Sequence, residues 1–326
     1  MRRLAAIPLS AALLLAAAGC GGNSGTPTPT PAAPGQQQGR PDKVAAGVIA
    51  IVDVAPIYLG KQKGFFSGRN IDLDLQTSQG GAAIVPGVVS GQFQFGFSNV
   101  TSLILAKSRG LPIKMVSNGV ASTGKDGADF GGVLVKADSP IRSAKDLAGR
   151  TVAVNTLKNI GDTTVRASVR KAGGDPASVK FVELAFPDQP AALAAGRVDA
   201  IWVVEPFVTA AKAQGARLVA SNYVDAAPDL TVAAYFTSQE LIARNPDLVK
   251  RFKEAMAESL AYAAAHPDEV RAVIGTYTQI AADVTVKITL PAWPAEINKA
   301  SVQTLTDLAV QDKLLDKAPA LGDLLP

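Results

Sequence analysis

From residue 44 onward, short β-branched runs alternate with longer helix-compatible runs, and this alternation constrains the fold more than any other feature. The run 44–52 reads as a buried strand, and Pro56 opens a helix that ends near Gly64. Strands are expected at 71–76, 92–97 and 113–120, with a helix that follows Gly80-Gly81 and runs to about 90 and another at 100–108 between them. A second set follows: strands at 132–135, 151–154, 179–184, 200–203 and 217–220, a short helix at 143–147 and a longer one at 163–172. An extended run at 231–236 precedes helices at 246–266, 268–276 and 296–311. Such a rhythm predicts mainly parallel sheets with helices on both faces. The 326 residues allow two or three domains, and a 48% hydrophobic content is enough to build their cores.

The first forty residues are of another kind. Arg2-Arg3 is a basic start, and 4–18 is an apolar stretch too short to span a bilayer, so 1–19 reads as a signal peptide. It runs into Ala17-Ala18-Gly19-Cys20, similar to a bacterial lipobox, in which the cysteine thiol carries lipid. That the only cysteine of the chain stands there favours lipidation at Cys20 over a plain signal peptide. The segment 20–41 is rich in Pro, Thr, Gly and Gln and cannot bury enough surface to offset its ordering entropy. It reads as a disordered, extended spacer that holds a folded unit just off a membrane face.

Several function classes are excluded. Without Arg2 and Arg3, 30 basic residues face 28 acidic ones and no basic run remains, so nucleic-acid binding has no electrostatic footprint. One cysteine and one histidine, His266, rule out the common metal clusters and disfavour a Ser-His-Asp or Cys-His pair. His266 sits late on a helix before Pro267, where a helix-terminal role suffices. No phosphate-binding loop, zinc-protease helix or nucleophile elbow occurs. No catalytic residue, cofactor or metal is therefore expected.

Three loops at the carboxyl ends of predicted strands remain: 77–81 (T-S-Q-G-G), Ser98-Asn99, and 155–162 (N-T-L-K-N-I-G-D). Each feeds a helix whose first N–H groups are unpaired, and ligands of open α/β sheets settle at such ends. Ordinary capping explains any one of them. Three in two successive α/β units point to a shared cleft.

Four blocks carry a family resemblance. V-A-P-I-Y-L-G-K-Q-K-G-F-F (54–66) is similar to the opening of the nitrate/sulfonate/taurine substrate-binding protein family, in the superfamily that also holds a thiamine-pyrimidine synthase. G-G-A-A-I-V-P-G-V-V-S-G-Q-F-Q-F-G-F-S-N (80–99), S-P-I-R-S-A-K-D-L-A-G-R-T-V-A-V (139–154) and A-A-L-A-A-G-R-V-D-A-I-W-V-V-E-P-F (191–207) resemble its later blocks in order and spacing. The resemblance implies the type II periplasmic-binding-protein fold: two α/β lobes, two crossovers and a ligand cleft between them. Lobe 1 would take 42–132 and 237–326, lobe 2 would take 133–236, and the crossovers would fall near Gly131-Gly132 and Tyr235-Phe236. It also implies a lipid-anchored monomer that hands a solute to an ABC permease and its ATPase.

By position in the motifs, the ligand contacts would be Asp53, Ala55, Pro56, Tyr58, Gln79, Gly80, Gly81, Ser98, Asn99, Asn155, Thr156, Gly161, Trp202 and Glu205. The loops would donate hydrogen bonds to a polar head, and Tyr58 and Trp202 would cover its apolar part. Trp202 could equally be a strand-buried core residue, and Glu205 a dipole-favoured carboxylate at a helix start. If Asp53 and Glu205 face the cleft, they disfavour a bare dianion and favour an amine, amidine or aminopyrimidine. Lys158 is the one basic residue in the three loops, so nitrate is weakened against a sulfonate, a taurine-like zwitterion or a thiamine-precursor pyrimidine. Two other classes compete: a pyrimidine-synthase-like enzyme, which in the superfamily relies on histidines, iron and a cysteine-rich motif, and a lipoprotein whose cleft serves a partner protein.

Overall fold

The strands form two sheets of five that repeat one plan, the first of them completed by a strand that returns after the second half. The structure is a computed structural model that describes residues 40–326. The expected signal peptide, Cys20 and nearly all of the expected spacer lie outside the described residues.

The first half runs β1 (Asp42–Val48), α1 (Ala55–Gln62), β2 (Ile71–Thr77), α2 (Gly81–Val89), β3 (Phe95–Asn99), α3 (Val100–Ser108) and β4 (Ile113–Ala121). The second runs β5 (Gly131–Val135), β6 (Thr151–Val154), α4 (Ile160–Lys171), β7 (Lys180–Glu183), α5 (Gln189–Ala194), β8 (Ala200–Val204), α6 (Phe207–Ala213), β9 (Arg217–Ala220) and α7 (Asn222–Ala226). The chain then returns through β10 (Thr231–Ser238) to α8 (Gln239–Arg244), α9 (Pro246–Ala265), α10 (Pro267–Ile274), α11 (Ala282–Thr285) and α12 (Lys299–Gln311).

The sheet orders are β2-β1-β3-β10-β4 and β7-β6-β8-β5-β9. In each, four strands run one way and one antiparallel strand, β10 or β5, lies fourth. Those are the strands that each crossing delivers from the other half, so they enter their sheet running backwards. The mainly parallel expectation is modified by that one strand. β10 belongs to the first sheet along its whole length, so the chain re-enters that sheet at Thr231, ahead of the expected Tyr235-Phe236. Its residues are almost all buried, and burial on both faces leaves no periodicity to say which sheet a strand joins.

Local chemistry explains the elements. β1 is shorter than the apolar run that suggested it, because a single 3-10 turn at Val52–Val54 intervenes before α1. In α1, Gly60 lets α9 approach closely: a Cβ there would lie 1.9 Å from Ser259 Oγ. Asn99 caps α3 by accepting from Ser102 N at 2.9 Å. α4 begins at Ile160 rather than at 163, with Asn159 as its cap, which draws Gly161 and Asp162 into its first turn. The helices α5 and α6, absent from the sequence reading, fill the remaining crossovers of the second sheet. His266 caps the end of α9, with Nδ1 2.8 Å from Tyr262 O and its ring stacked on Tyr262.

Two segments, 122–130 and 221–230, join the halves and bond to each other: Ser122 N donates to Leu230 O at 2.9 Å and Gly127 N to Ser221 Oγ at 2.8 Å. Asp129 locks the first by accepting from Ser122 Oγ, Thr123 N and Phe130 N. Gly39–Pro326 forms one compact unit with its own core.

Candidate functional site

The carboxyl ends of β1, β2, β3, β6 and β8 converge on a seam between the two sheets, lined by the candidates Asp53, Gln79, Asn99, Asn155 and Trp202. The seam is closed. Ser102 of α3 and Asn159 ahead of α4 hydrogen-bond across it, with Asn159 Nδ2 donating to Ser102 Oγ at 2.9 Å. Val52 N donates to Glu205 O at 3.0 Å, also across it. Gly80 approaches the opposite loop so closely that a Cβ would lie 3.1 Å from Thr156 Oγ1 and 3.2 Å from Asn155 Nδ2.

The deepest chamber of the seam is lined by Asp53, Asn99, Asn155, Trp202 and Tyr223 among Ile, Val and Phe side chains. Asp53 is the middle residue of the short turn before α1 and is 2% exposed. Its Oδ1 has no partner among the described residues. Burial, supported by the nearby charge of Asp129, pushes its carboxyl up to about 8, against hydrogen bonding from its own backbone N–H. At neutral pH Asp53 is thus largely a neutral acid, able to donate as well as accept. Trp202, central in β8, is buried with its Nε1–H also unpartnered among the described residues. Two unpaired polar groups in one chamber are costly unless something fills it. The tyrosine hydroxyls of Tyr223 and Tyr235 are held well above their ordinary range by burial and the charge of Asp53.

The remaining candidates divide. Gln79 lines the next section outward with Thr77 and Ser78. Gly81 and Ser98 serve packing: a Cβ on Gly81 would lie 2.0 Å from Ser98 Oγ. Gly161 supports Trp202, since its Cβ would lie 2.7 Å from Trp202 Cε3. Ala55 and Pro56 are buried in the first turn of α1 and do not line the chamber. Tyr58 stacks on Tyr277 at 4.0 Å, behind the wall of the outer seam.

Glu205 does not bring a free oxygen to the chamber. Its carboxylate accepts from Thr209 N, Thr209 Oγ1 and Thr289 N at 3.0, 2.7 and 3.1 Å, which ties α6 to the C-terminal segment. Burial raises its pKa against those bonds. Asp53 and Glu205 are therefore not a pair. Sequence reasoning missed Tyr223, Phe97, Phe186 and Tyr277. Phe186 follows β7 in another strand-to-helix loop, so the rule used for the other loops reaches it. Tyr277 lies far downstream and carries no such signal.

The two five-stranded sheets, the two crossings and the seam between them give the periplasmic-binding-protein fold. The chain belongs to the NMT1/THI5 like family, whose model matches residues 51–270. It is 26% identical over 231 residues to the riboflavin-binding protein RibY of Chloroflexus aurantiacus, covering 69% of this chain and 63% of that protein. It is 23% identical over 223 residues to a formylaminopyrimidine-binding protein of Halalkalibacterium halodurans, covering 68% and 65%. The matches thus span just under two thirds of those relatives' length. Among solved structures, the alkanesulfonate-binding protein SsuA of Xanthomonas axonopodis pv. citri shares the fold, with a TM-score of 0.73 at 17% identity over 88% of this chain and 100% of that one. No helix among the described residues is long and apolar enough to cross a membrane.

Proposed function

We propose that this chain is the extracytoplasmic solute-binding component of an ABC importer and no enzyme, anchored by lipid at Cys20 and delivering its solute to a permease and ATPase. Lobe 1 (42–132 and 237–326, with the return strand beginning near 231) and lobe 2 (133–236 less that strand) close on a small nitrogen-containing organic solute. One observation carries the choice of solute: Oδ1 of Asp53 and the indole N–H of Trp202, both without a partner among the described residues, belong to side chains that line one aromatic chamber with no Lys or Arg in its lining. A neutral or ionised acid pairs with an amidine-like edge of an aminopyrimidine or related ring, and the chamber has to widen from its present volume of about 20 Å³ for the aromatic residues around it to cover the ring faces. A sulfonate or nitrate would meet a carboxyl there instead of a cation. The names of the riboflavin- and formylaminopyrimidine-binding relatives support a nitrogen heterocycle.

Thermal shift of the unit starting at Arg40 tests this, against aminopyrimidines, riboflavin, taurine, alkanesulfonates and nitrate. A ligand at about 100 times its Kd adds about 2.7 kcal/mol, a shift of several degrees. The expected result is a shift with a nitrogen heterocycle that Asp53→Asn weakens at least ten-fold in Kd. A shift with taurine or a sulfonate that Asp53→Asn leaves unchanged overturns the choice of solute.

A further inference from the structure

The deep chamber adjoins two further pockets along the seam. Its volume in this closed arrangement is about 20 Å³, room for little more than one water. It shares Ile49, Ile51 and Phe186 with a section of about 120 Å³, which shares Ala50, Thr77, Pro187 and Phe207 with an outer chamber of about 600 Å³. The outer chamber has walls from both lobes. Tyr277 and Ile280 face Pro187, Pro190, Phe207 and Ala210, and no charged side chain lines it.

Its walls are fixed rather than loose. Tyr277 donates its hydroxyl to Ile51 O at 3.0 Å and stacks on Tyr58. Phe207 lies parallel to Phe186 at 6.1 Å, so an aromatic wall continues from the outer chamber to the deep one. A solute no larger than taurine uses none of this surface. A mostly apolar, uncharged surface built from both sides of the seam rewards a ligand that carries apolar area onto it.

We propose that the outer chamber is a second subsite, which takes an uncharged aliphatic or aromatic extension of the solute whose polar head reaches Asp53 and Trp202. This rests on the solute-binding reading above. It makes the solute an elongated molecule with a polar nitrogen-bearing tip and an apolar body, and it gives the body a large share of the affinity.

The test is a homologous series of n-alkyl chains, methyl to octyl, on three heads: 4-aminopyrimidine, primary amine and sulfonate. Affinities are measured by calorimetry on the native protein and on two variants that fill the chamber from opposite lobes, Ala210→Trp and Gln279→Trp. Gln279 is exposed at the rim, so that variant keeps the fold if the first does not. On any head that binds, affinity should rise about four-fold per methylene over the lengths the chamber accommodates. Either variant should flatten that rise while leaving the shortest members within two-fold. Binding of short members with no rise on any head overturns the second subsite and leaves the solute-binding reading intact. A rise on the sulfonate head alone upholds the subsite and overturns the nitrogen head. No binding by any member of any series overturns both.

Discussion

Asp53→Asn separates the chamber's chemistry from its shape. The folded protein holds this carboxyl protonated up to about pH 8, while the unfolded chain releases the proton near 3.8. Between those values the native state carries a proton that the unfolded state lacks, so stability falls as pH rises. The contribution is fully favourable below pH 4 and is lost progressively up to about pH 8. At about 1.4 kcal/mol per pH unit, the loss is on the order of 4 kcal/mol at pH 7 and somewhat more at pH 8. Asparagine has nearly the shape of the neutral acid and does not titrate. The variant should match the native Tm near pH 4.5 and exceed it increasingly above that, by about 5–10 °C at pH 7. Calorimetric scans of both proteins at pH 4.5, 6, 7 and 8 read this directly. Parallel Tm curves would refute the reasoning, because they would mean that Asp53 ionises alike in folded and unfolded chains. Solute affinity of the same variant then reports whether the carboxyl is used in recognition.

Gly161→Ala places a Cβ 2.7 Å from Trp202 Cε3 and 3.0 Å from Val154 Cγ1, so it should cost about 1–3 kcal/mol and weaken solute binding at least ten-fold, read by unfolding and by indole fluorescence. Glu205→Gln turns an amide N–H toward a backbone or hydroxyl donor; we expect about 2 kcal/mol of lost stability with solute Kd unchanged within three-fold. A large loss of affinity without loss of stability would return Glu205 to recognition. Arg170 of α4 reaches Asp312 beyond α12 at 2.5 Å, and the aspartate side chain is only 4% exposed. Removing the cation in Arg170→Met should cost about 3 kcal/mol, and adding Asp312→Asn should recover most of it, measured by denaturant unfolding.

The sequence by itself determined the alternation of strands and helices, because apolar periodicity and glycine, proline and capping residues act within a few positions of one another. It also singled out Asp53, Asn99 and Asn155 near strand ends and Trp202 within a strand, and the seam brings these four side chains together. It could not divide supporting residues from contacting ones. Gly81 and Gly161 look like loop glycines in the chain, yet each is small because a distant side chain, Ser98 or Trp202, occupies the space a Cβ would take. Glu205 reads like Asp53 in sequence, but Thr209 and the backbone of Thr289, far along the chain, satisfy its carboxylate, whereas Oδ1 of Asp53 has no partner among the described residues. The sheet that β10 joins and the outer chamber bounded by Tyr277 were likewise decided in three dimensions. Hydrogen-bond satisfaction and desolvation depend on which groups end up adjacent, and adjacency across a seam between two sheets leaves no local mark in the chain.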